Sequence, residues 1–517
     1  MNTNRITKVH LAALTLLSSF ILHPSSLLAQ GSLTPPGAPA PTMKTLQQIE
    51  PRTPISSAPF TISASGSYYL TTNLTVTTGN AIAIAANGVT LDLNGFTIAS
   101  TAPSTTGEGI HITSGLRNLT ILNGFIQGGV TNNGSGVYSG SGFNYGIYGS
   151  ATANVLVDKV SVSGCRYYGI YMGTGNSTVV ESCRVRTVGS YGIVASIVKI
   201  SAAIDCGGTA LYCDQAFDSR GEATSSGYGI RTSIAQNCWG ESSSSYGLYA
   251  EYTAQNCLGW SGSGYGIYAY IAQNCRSQGN GSSPGLSAVT AQNCLGYGNT
   301  GVGLQASFAG NCSGSSYGSD PGLDATQAVN CYGYSQGGSG IYAADTAFGC
   351  SGSSSTGMGI WARNAENCYG SSSTTNYGIY AEYTALNCSG SSISGTGIRT
   401  RAAQNCYGLT TSNYGIFANS AENCYGYGSS GGWGIYANNA NNCYGYSSSG
   451  LGLRADTAIG CSGYSSTSSG LYIFRTAIGC YGYSTTGTGL TSLIANSCRG
   501  ETSSGTAQII TYKYNMP

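Results

Sequence analysis

Charge is scarce in this 517-residue chain. Asp, Glu, Lys and Arg make up 8% of it, and 20 cations against 19 anions leave a formal net charge of +1. Ordinary globular domains carry about 25% charged residues. A balance this close to zero gives no electrostatic basis for binding nucleic acid or an anionic membrane. Histidine is rarer still, with three residues. His10 and His23 stand in the N-terminal leader, and His111, inside GIHI, reads as an ordinary outward or partly buried residue. No apolar run reaches the ~20 residues of a membrane helix, so no transmembrane segment is expected. The turns carry Ser where the calcium-binding GGxGxDxUx repeat needs Asp. Cysteines never come as CxxC pairs, and the many Gly-x-Gly tripeptides lack the βαβ setting of a phosphate loop. No metal and no cofactor is expected.

What is present begins with a leader. Arg5 and Lys8 precede the apolar stretch Leu11 to Leu22, and SSLLAQ offers a cleavage site near Ala29. Residues 1–29 therefore read as a signal peptide, and 30–42 as a Pro-rich linker. The chain is expected to be exported: secreted, periplasmic or at the cell surface.

Glycine (78), tyrosine (39) and cysteine (19) dominate the rest. From Cys238 to Cys498, fifteen cysteines recur at intervals of 18 to 20 residues, each with Ala three residues before it. Nine or ten residues before each Cys stands Gly followed by Ile or Leu, and Gly lies two after it in fourteen of the fifteen. Alternation in Gly434-Ile435-Tyr436-Ala437 places Ile and Ala on one face, Gly and Tyr on the other. A unit this short cannot bury its own apolar face, so it must stack on its neighbours. The prediction is an all-β, single-stranded parallel β-helix with turns of about 18–20 residues in the C-terminal half. Each turn adds about 4.8 Å, giving these fifteen a length of roughly 70 Å.

Ala and Cys three residues apart cannot share a face without a bend. The bend is assigned to the residue before Cys, Asn in eleven turns and Gly in three, because both tolerate a left-handed backbone. Asn in register from turn to turn also offers an amide ladder. The cysteines then point inward, with buried free thiols, turn-to-turn disulfides and metal or redox work all open. Residues 43–230 read as the same architecture in longer turns, with 43–50 a short capping helix and Cys165 and Cys183 opening the cysteine pattern. Residues 231–517 are the regular repeat.

PRTPISSAPFTISASGSYYLTTNLTV (51–76), VTLDLNGFTI and LTILNGFIQG together resemble the start of bacterial secreted right-handed parallel β-helix proteins, in the pectin-lyase-like superfamily. The resemblance spans roughly 43–200 and implies the right hand of the coil. It implies little about activity, since the group holds lyases, hydrolases, epimerases and adhesins. Active relatives use Asp clusters, often with a His, or an Arg or Lys base beside Asp-bound calcium. The corresponding candidates here are Asp205, Asp214, Asp218, Arg220 and Glu222 in DCGGTALYCDQAFDSRGE. A hydrolase would use Asp214 and Asp218 as its two carboxylates; a lyase would use Arg220 as base.

Stacking also lines up the outward residues. The second position after the Gly gives Tyr249 and Tyr268, a polar gap, then Tyr342, Trp361, Tyr380, Arg399, Phe417, Tyr436, Arg454 and Tyr472. A second file follows Cys, with Tyr332, Tyr369, Tyr407, Tyr425, Tyr444 and Tyr481. Arg363, Glu382 and Arg401 form a charged file that fixes register. Exposed aromatics at this pitch either brace the outside of the coil or stack on sugars or a partner surface. The leading expectation is a non-catalytic exported rod acting as a surface, matrix or carbohydrate-binding protein through these aromatic files, with polysaccharide or a cell-surface partner bound there. The alternative is a polysaccharide lyase or glycoside hydrolase acting on acidic polysaccharide.

Overall fold

The computed structural model describes residues 49–516. The helix expected over 43–50 lies outside them except for Ile49 and Glu50. From Arg52 onward the described residues form one unit without α-helix, a parallel β-solenoid in which 50 strands join one continuous hydrogen-bonded system. Among the described residues no helix is long and apolar enough to cross a membrane.

The first turns are wide. Gly66 pairs with Val89, and Val89 with Leu119, so these turns run to 23 and 30 residues. The contraction to the short repeat happens at one place. Strands Tyr168–Tyr171 and Thr178–Glu181 are separated by MGTGNS, yet both pair with the single strand Ile193–Lys199, Ile170 opposite Ile193 and Val179 opposite Ile197. The loop 173–177 has no counterpart one turn later. With it gone, the turn shortens to 18 residues, and a long and a short strand per turn follow, the long one broken only at Ile398–Arg399 and Ala402–Gln404.

Each later turn pairs a long strand such as Trp433–Asn441 with a four-residue strand such as Tyr444–Ser447. Ile435, Ala437, Ala440, Cys443, Gly445 and Ser447 are buried. The alternation expected at Gly434 fails, because Gly434 is buried beside Ile435. A Cβ on Gly434 would lie 2.4 Å from the Gly452 oxygen and 2.6 Å from the Tyr446 nitrogen. One on Gly445 would lie 2.1 Å from that same oxygen. The two strands of a turn thus converge on paired glycines. Ser447 closes this narrow end: its hydroxyl donates to the Gly432 carbonyl (2.6 Å) and accepts from the Gly450 N–H (2.7 Å), so the buried hydroxyl is satisfied.

At the other end, the corner residue is left-handed in all fifteen repeat turns. The eleven Asn have φ of 50–55°, Gly349, Gly460 and Gly479 have 60–62°, and Ser497 has 53°. The amide ladder forms as expected. Asn256 donates to Asn237 (3.1 Å), Asn274 to Asn256 (3.1 Å) and Asn293 to Asn274 (3.2 Å); Asn387 and Asn405 extend a second run from Asn367.

Turn length varies in the long strand and in the link from the short strand to the next Gly, while the short strands keep a constant length. Long strands carrying an extra residue, such as Leu248–Gln255 and Ile379–Leu386, absorb it as a local register shift. The short strands pair without a shift from Arg220–Ala223 to Arg499–Thr502.

Asn274 both donates and accepts in the ladder. Asn274→Ala should therefore destabilise the rod by about 1–2 kcal/mol, the cost of a left-handed alanine, and Asn274→Gly by clearly less. Equilibrium urea unfolding of both variants is the check; equal losses would show that backbone handedness does not govern this corner.

Candidate functional site

The five polar candidates at 205–222 occupy different parts of the turn. Asp205 lies beneath an antiparallel hairpin, Gly129–Asn132 with Tyr138–Ser141, inserted into an early turn. It accepts hydrogen bonds from Asn132 Nδ2 (2.6 Å), Tyr138 Oη (2.7 Å) and Thr187 Oγ1 (2.7 Å). Partial burial opposes its ionisation, but those three donors and the nearby Arg186 outweigh it and hold the carboxyl below its ordinary pKa. Tyr138 is buried at 4% exposure over Gly207, where a Cβ would meet its ring at 2.8 Å. Asp205 is thus the anchor of a clasp.

Asp214, on the long strand Leu211–Phe217, accepts the Gly175 N–H at 2.8 Å. Asp218 is a left-handed corner residue and accepts from Asn237 (2.9 Å), forming the base of the amide ladder. Arg220 and Glu222 are brought together on the short strand. Arg220 pairs with Glu222 (3.1 Å) and Glu241 (3.7 Å), and its guanidinium carbon sits 4.0 Å from the Trp239 ring centre. Burial, then repulsion from Glu222, raises the pKa of Glu241. Asp218 and Arg220 share a groove of ≈ 460 Å³ with Arg184 and Trp239. His111 is partly exposed and pairs with Glu108 (2.7 Å), whose pKa burial raises.

All nineteen cysteines are free and buried. Cys183 shares the column of the fifteen-member ladder, with Ser201 and Ser219 in the two turns between. Cys165 does not open that column, contrary to the expectation. It stacks through Val188 on Cys206, and that file continues through Ala223 into the buried serines beginning with Ser242. Cys213 aligns with Ala195 in a third column. Ladder thiols donate to nearby carbonyls, as Cys368 does to Glu366 (3.2 Å) and Ala347 (3.3 Å). Burial pushes Cys165 and Cys213 up to about 12. Both lie outside the ladder, and a buried thiol held protonated packs as a small hydrophobe.

The aromatic files form as the spacing predicts. Tyr342 stacks on Trp361 (centroids 4.5 Å apart, 11° between planes), Trp361 on Tyr380 (6.3 Å), and Phe417 on Tyr436 (4.9 Å). Arg399 bridges the interval, its guanidinium 5.8 Å from Tyr380 and 5.6 Å from Phe417. Arg454 lies 4.6 Å from Tyr436, and Tyr472 is next in register. The charged file is also in place, Glu382 lying 3.8 Å from Arg363 and 3.9 Å from Arg401.

Two further files escaped the reading of the sequence. The residue before each Gly supplies Tyr228, Tyr246 and Tyr265, then Tyr377, Tyr414 and Trp433; Tyr246 and Tyr265 stack at 5.0 Å. The third residue after Cys supplies Tyr427, Tyr446, Tyr464 and Tyr483, stacked at 4.9, 4.9 and 5.2 Å. Their signals were the recurring YG[IL] and CxGY. In the first of these files Thr396, 2% exposed, replaces the ring between Tyr377 and Tyr414. The result is an open recess of ≈ 160 Å³ lined by Tyr377, Thr396, Arg399, Asn413, Tyr414 and Phe417. Arg399 donates to Tyr377 Oη there, and among the described residues no carboxylate pairs with it.

No protein-family model, curated protein or solved structure matches this chain. The class defined by its own geometry is the parallel β-solenoid.

Two outcomes follow from the buried polar and thiol groups. A thiol reagent should find almost no reactive cysteine in the native protein and all nineteen after denaturation; fewer would mean disulfides. The clasp should be sensitive to acid. Asp205 has a lowered folded pKa, so its contribution is complete above the ordinary Asp value of about 3.9 and is lost as pH falls through the lower folded value. Amide exchange over residues 129–141 should stay protected until pH drops below about 4, whereas Asp205→Ala should expose this hairpin at neutral pH.

Proposed function

We propose that this protein is an exported, non-catalytic β-helix rod that holds polysaccharide along the aromatic files of its long strands. The residues assigned to contact are Tyr342, Trp361, Tyr380, Arg399, Phe417, Tyr436 and Tyr472, joined by Tyr377 and Tyr414. The right hand of the coil and kinship with secreted pectin-lyase-like proteins belong to this reading, on the strength of the residues 43–200. Export rests on the leader at 1–29, and places the rod outside the cytoplasm, in the periplasm or at the cell surface.

One observation carries the proposal: the Arg399 recess. A pyranose offers an apolar face to aromatic rings and hydroxyls to donors. The recess supplies Tyr377 and Tyr414 two turns apart, roughly 10 Å, with Thr396 as floor and Asn413 and Arg399 as polar groups. The neighbouring stacked rings extend the same surface along the axis, which suits a chain more than a single sugar. A cell-surface partner presenting such glycans would be held in the same way.

The second reading, a lyase or hydrolase on acidic polysaccharide, is favoured by Arg220. Its Nε is buried without a hydrogen-bond partner, in a groove shared with Asp218. Against it, Asp205 is saturated with donors and Asp218 is committed to the ladder.

Affinity electrophoresis against a polysaccharide panel, with an assay for reducing and unsaturated ends, separates the two. The expected result is retention without product, weakened about tenfold in Trp361→Ala/Phe417→Ala, in line with the loss of two stacking contacts of about 0.5–1.5 kcal/mol each. Release of product, or retention indifferent to these substitutions, would overturn the proposal.

A further inference from the structure

The two sheets of the repeat region differ sharply in charge. Between Arg276 and Arg499 the chain has twelve charged residues, from Asp320 to Arg475, and none of them lies on a short strand. The eleven short strands from Leu295–Gly298 to Tyr481–Ser484 present 22 outward positions: twelve Tyr, eight Ser and two Leu. Tyr332, Tyr369, Tyr407, Tyr425, Tyr444 and Tyr481 are 37–50% exposed. This sheet also contains no register shift, whereas the long-strand sheet contains several.

A flat, uncharged Tyr/Ser surface has the composition of protein interfaces, which enrich Tyr and exclude charge from their centres. Rigid Tyr rings that are already stacked lose little conformational freedom on docking. From this surface we infer that the short-strand sheet is a self-association face, pairing two copies of the chain side by side in antiparallel orientation.

Three observations select a second copy. The first is pitch. Only a partner with the same turn spacing of about 4.8 Å keeps its side chains in step with these files over eleven turns, and this chain has that spacing by construction. The second is area. Eleven turns by four residues span about 50 by 13 Å, roughly 700 Å² per copy and 1,400 Å² per pair, inside the ~1,200–2,000 Å² of stable interfaces.

The third is the distribution of residues about the middle turn, which carries Ser389 and Ser391. A two-fold axis there superposes the small turns Ser351/Ser353 and Ser313/Ser315 on Tyr425/Tyr427 and Ser462/Tyr464, and sets Tyr332/Tyr334 against Tyr444/Tyr446, where the rings meet each other. The same axis brings Arg276, at one end of the uncharged run, to the Arg499–Glu501 ion pair at the other, six turns from the centre in each direction, where Glu501 offsets the like charges of the two arginines. An isologous contact of this kind closes on itself as a dimer. It uses the sheet opposite the Arg399 recess, so it stands or falls independently of glycan binding.

The axis makes the test specific, because Ser391 of one copy faces Ser391 of the other. Sedimentation of the wild-type protein across a concentration series should show a monomer–dimer equilibrium. Ser391→Glu alone and Ser391→Lys alone should each shift the equilibrium at least tenfold toward monomer, and mixing the two should restore the dimer. Phe417→Ala, on the other face, should leave the equilibrium unchanged. Circular dichroism confirms that each variant remains folded. A wild-type protein that stays monomeric throughout, a dimer insensitive to either charge, or a mixture that does not reassociate would overturn the inference.

Discussion

One left-handed residue per turn governs the repeat region. The chain must turn between the long and short strands while the residues on either side keep their inter-turn hydrogen bonds, and a residue near φ = +50° does this in one step. Asn tolerates that backbone, and its side chain then hydrogen-bonds the same residue one turn away. The inward placement of Cys, the outward placement of the residue after it and the convergence of the strands on Gly434 and Gly445 all follow from where the corner falls. Asp218 meets the same constraint with a carboxylate, which starts the ladder because it can accept and not donate.

Repetition made most of the architecture legible. Fifteen copies of a short unit specify strands, turns, the inward Cys and the corner Asn, because each physical requirement is written fifteen times. Single events were harder to read. The loss of loop 173–177, which contracts the turn, has no periodic signature. The hairpin over Asp205 is set by contacts 67 to 73 residues apart in the chain. Gly434 was misplaced because strict alternation describes an isolated strand, whereas here a second backbone presses against it. Cys165 resembles the ladder cysteines in residue type, yet column membership is a matter of register, which a lone cysteine does not reveal.

The site was legible in the same uneven way. The file from Tyr342 to Tyr472 and the Arg363–Glu382–Arg401 triple follow directly from a constant offset. The recess does not, because it is a gap: Thr396 is informative only beside Tyr377 and Tyr414, in a file that had not been traced. The acidic stretch 205–222 looked like a cluster in sequence, but consecutive residues there are shared among a corner, two sheets and a clasp. Proximity along a solenoid chain is a poor guide to proximity in space; one turn of offset is a better one.

Because every turn carries its own corner, and most their own hydroxyl clamp and glycine pair (Gly279, Gly298 and Gly428 replace the hydroxyl, Ser277 one glycine), none depends on a distant segment for closure. A whole turn can therefore be gained or lost without disturbing the pairing on either side, so long as the cut falls at equivalent positions. Length becomes an integer property of the gene, read out in steps of about 4.8 Å. A chain built this way is a ruler whose graduations are identical, and its reach is set by how many times the unit is written.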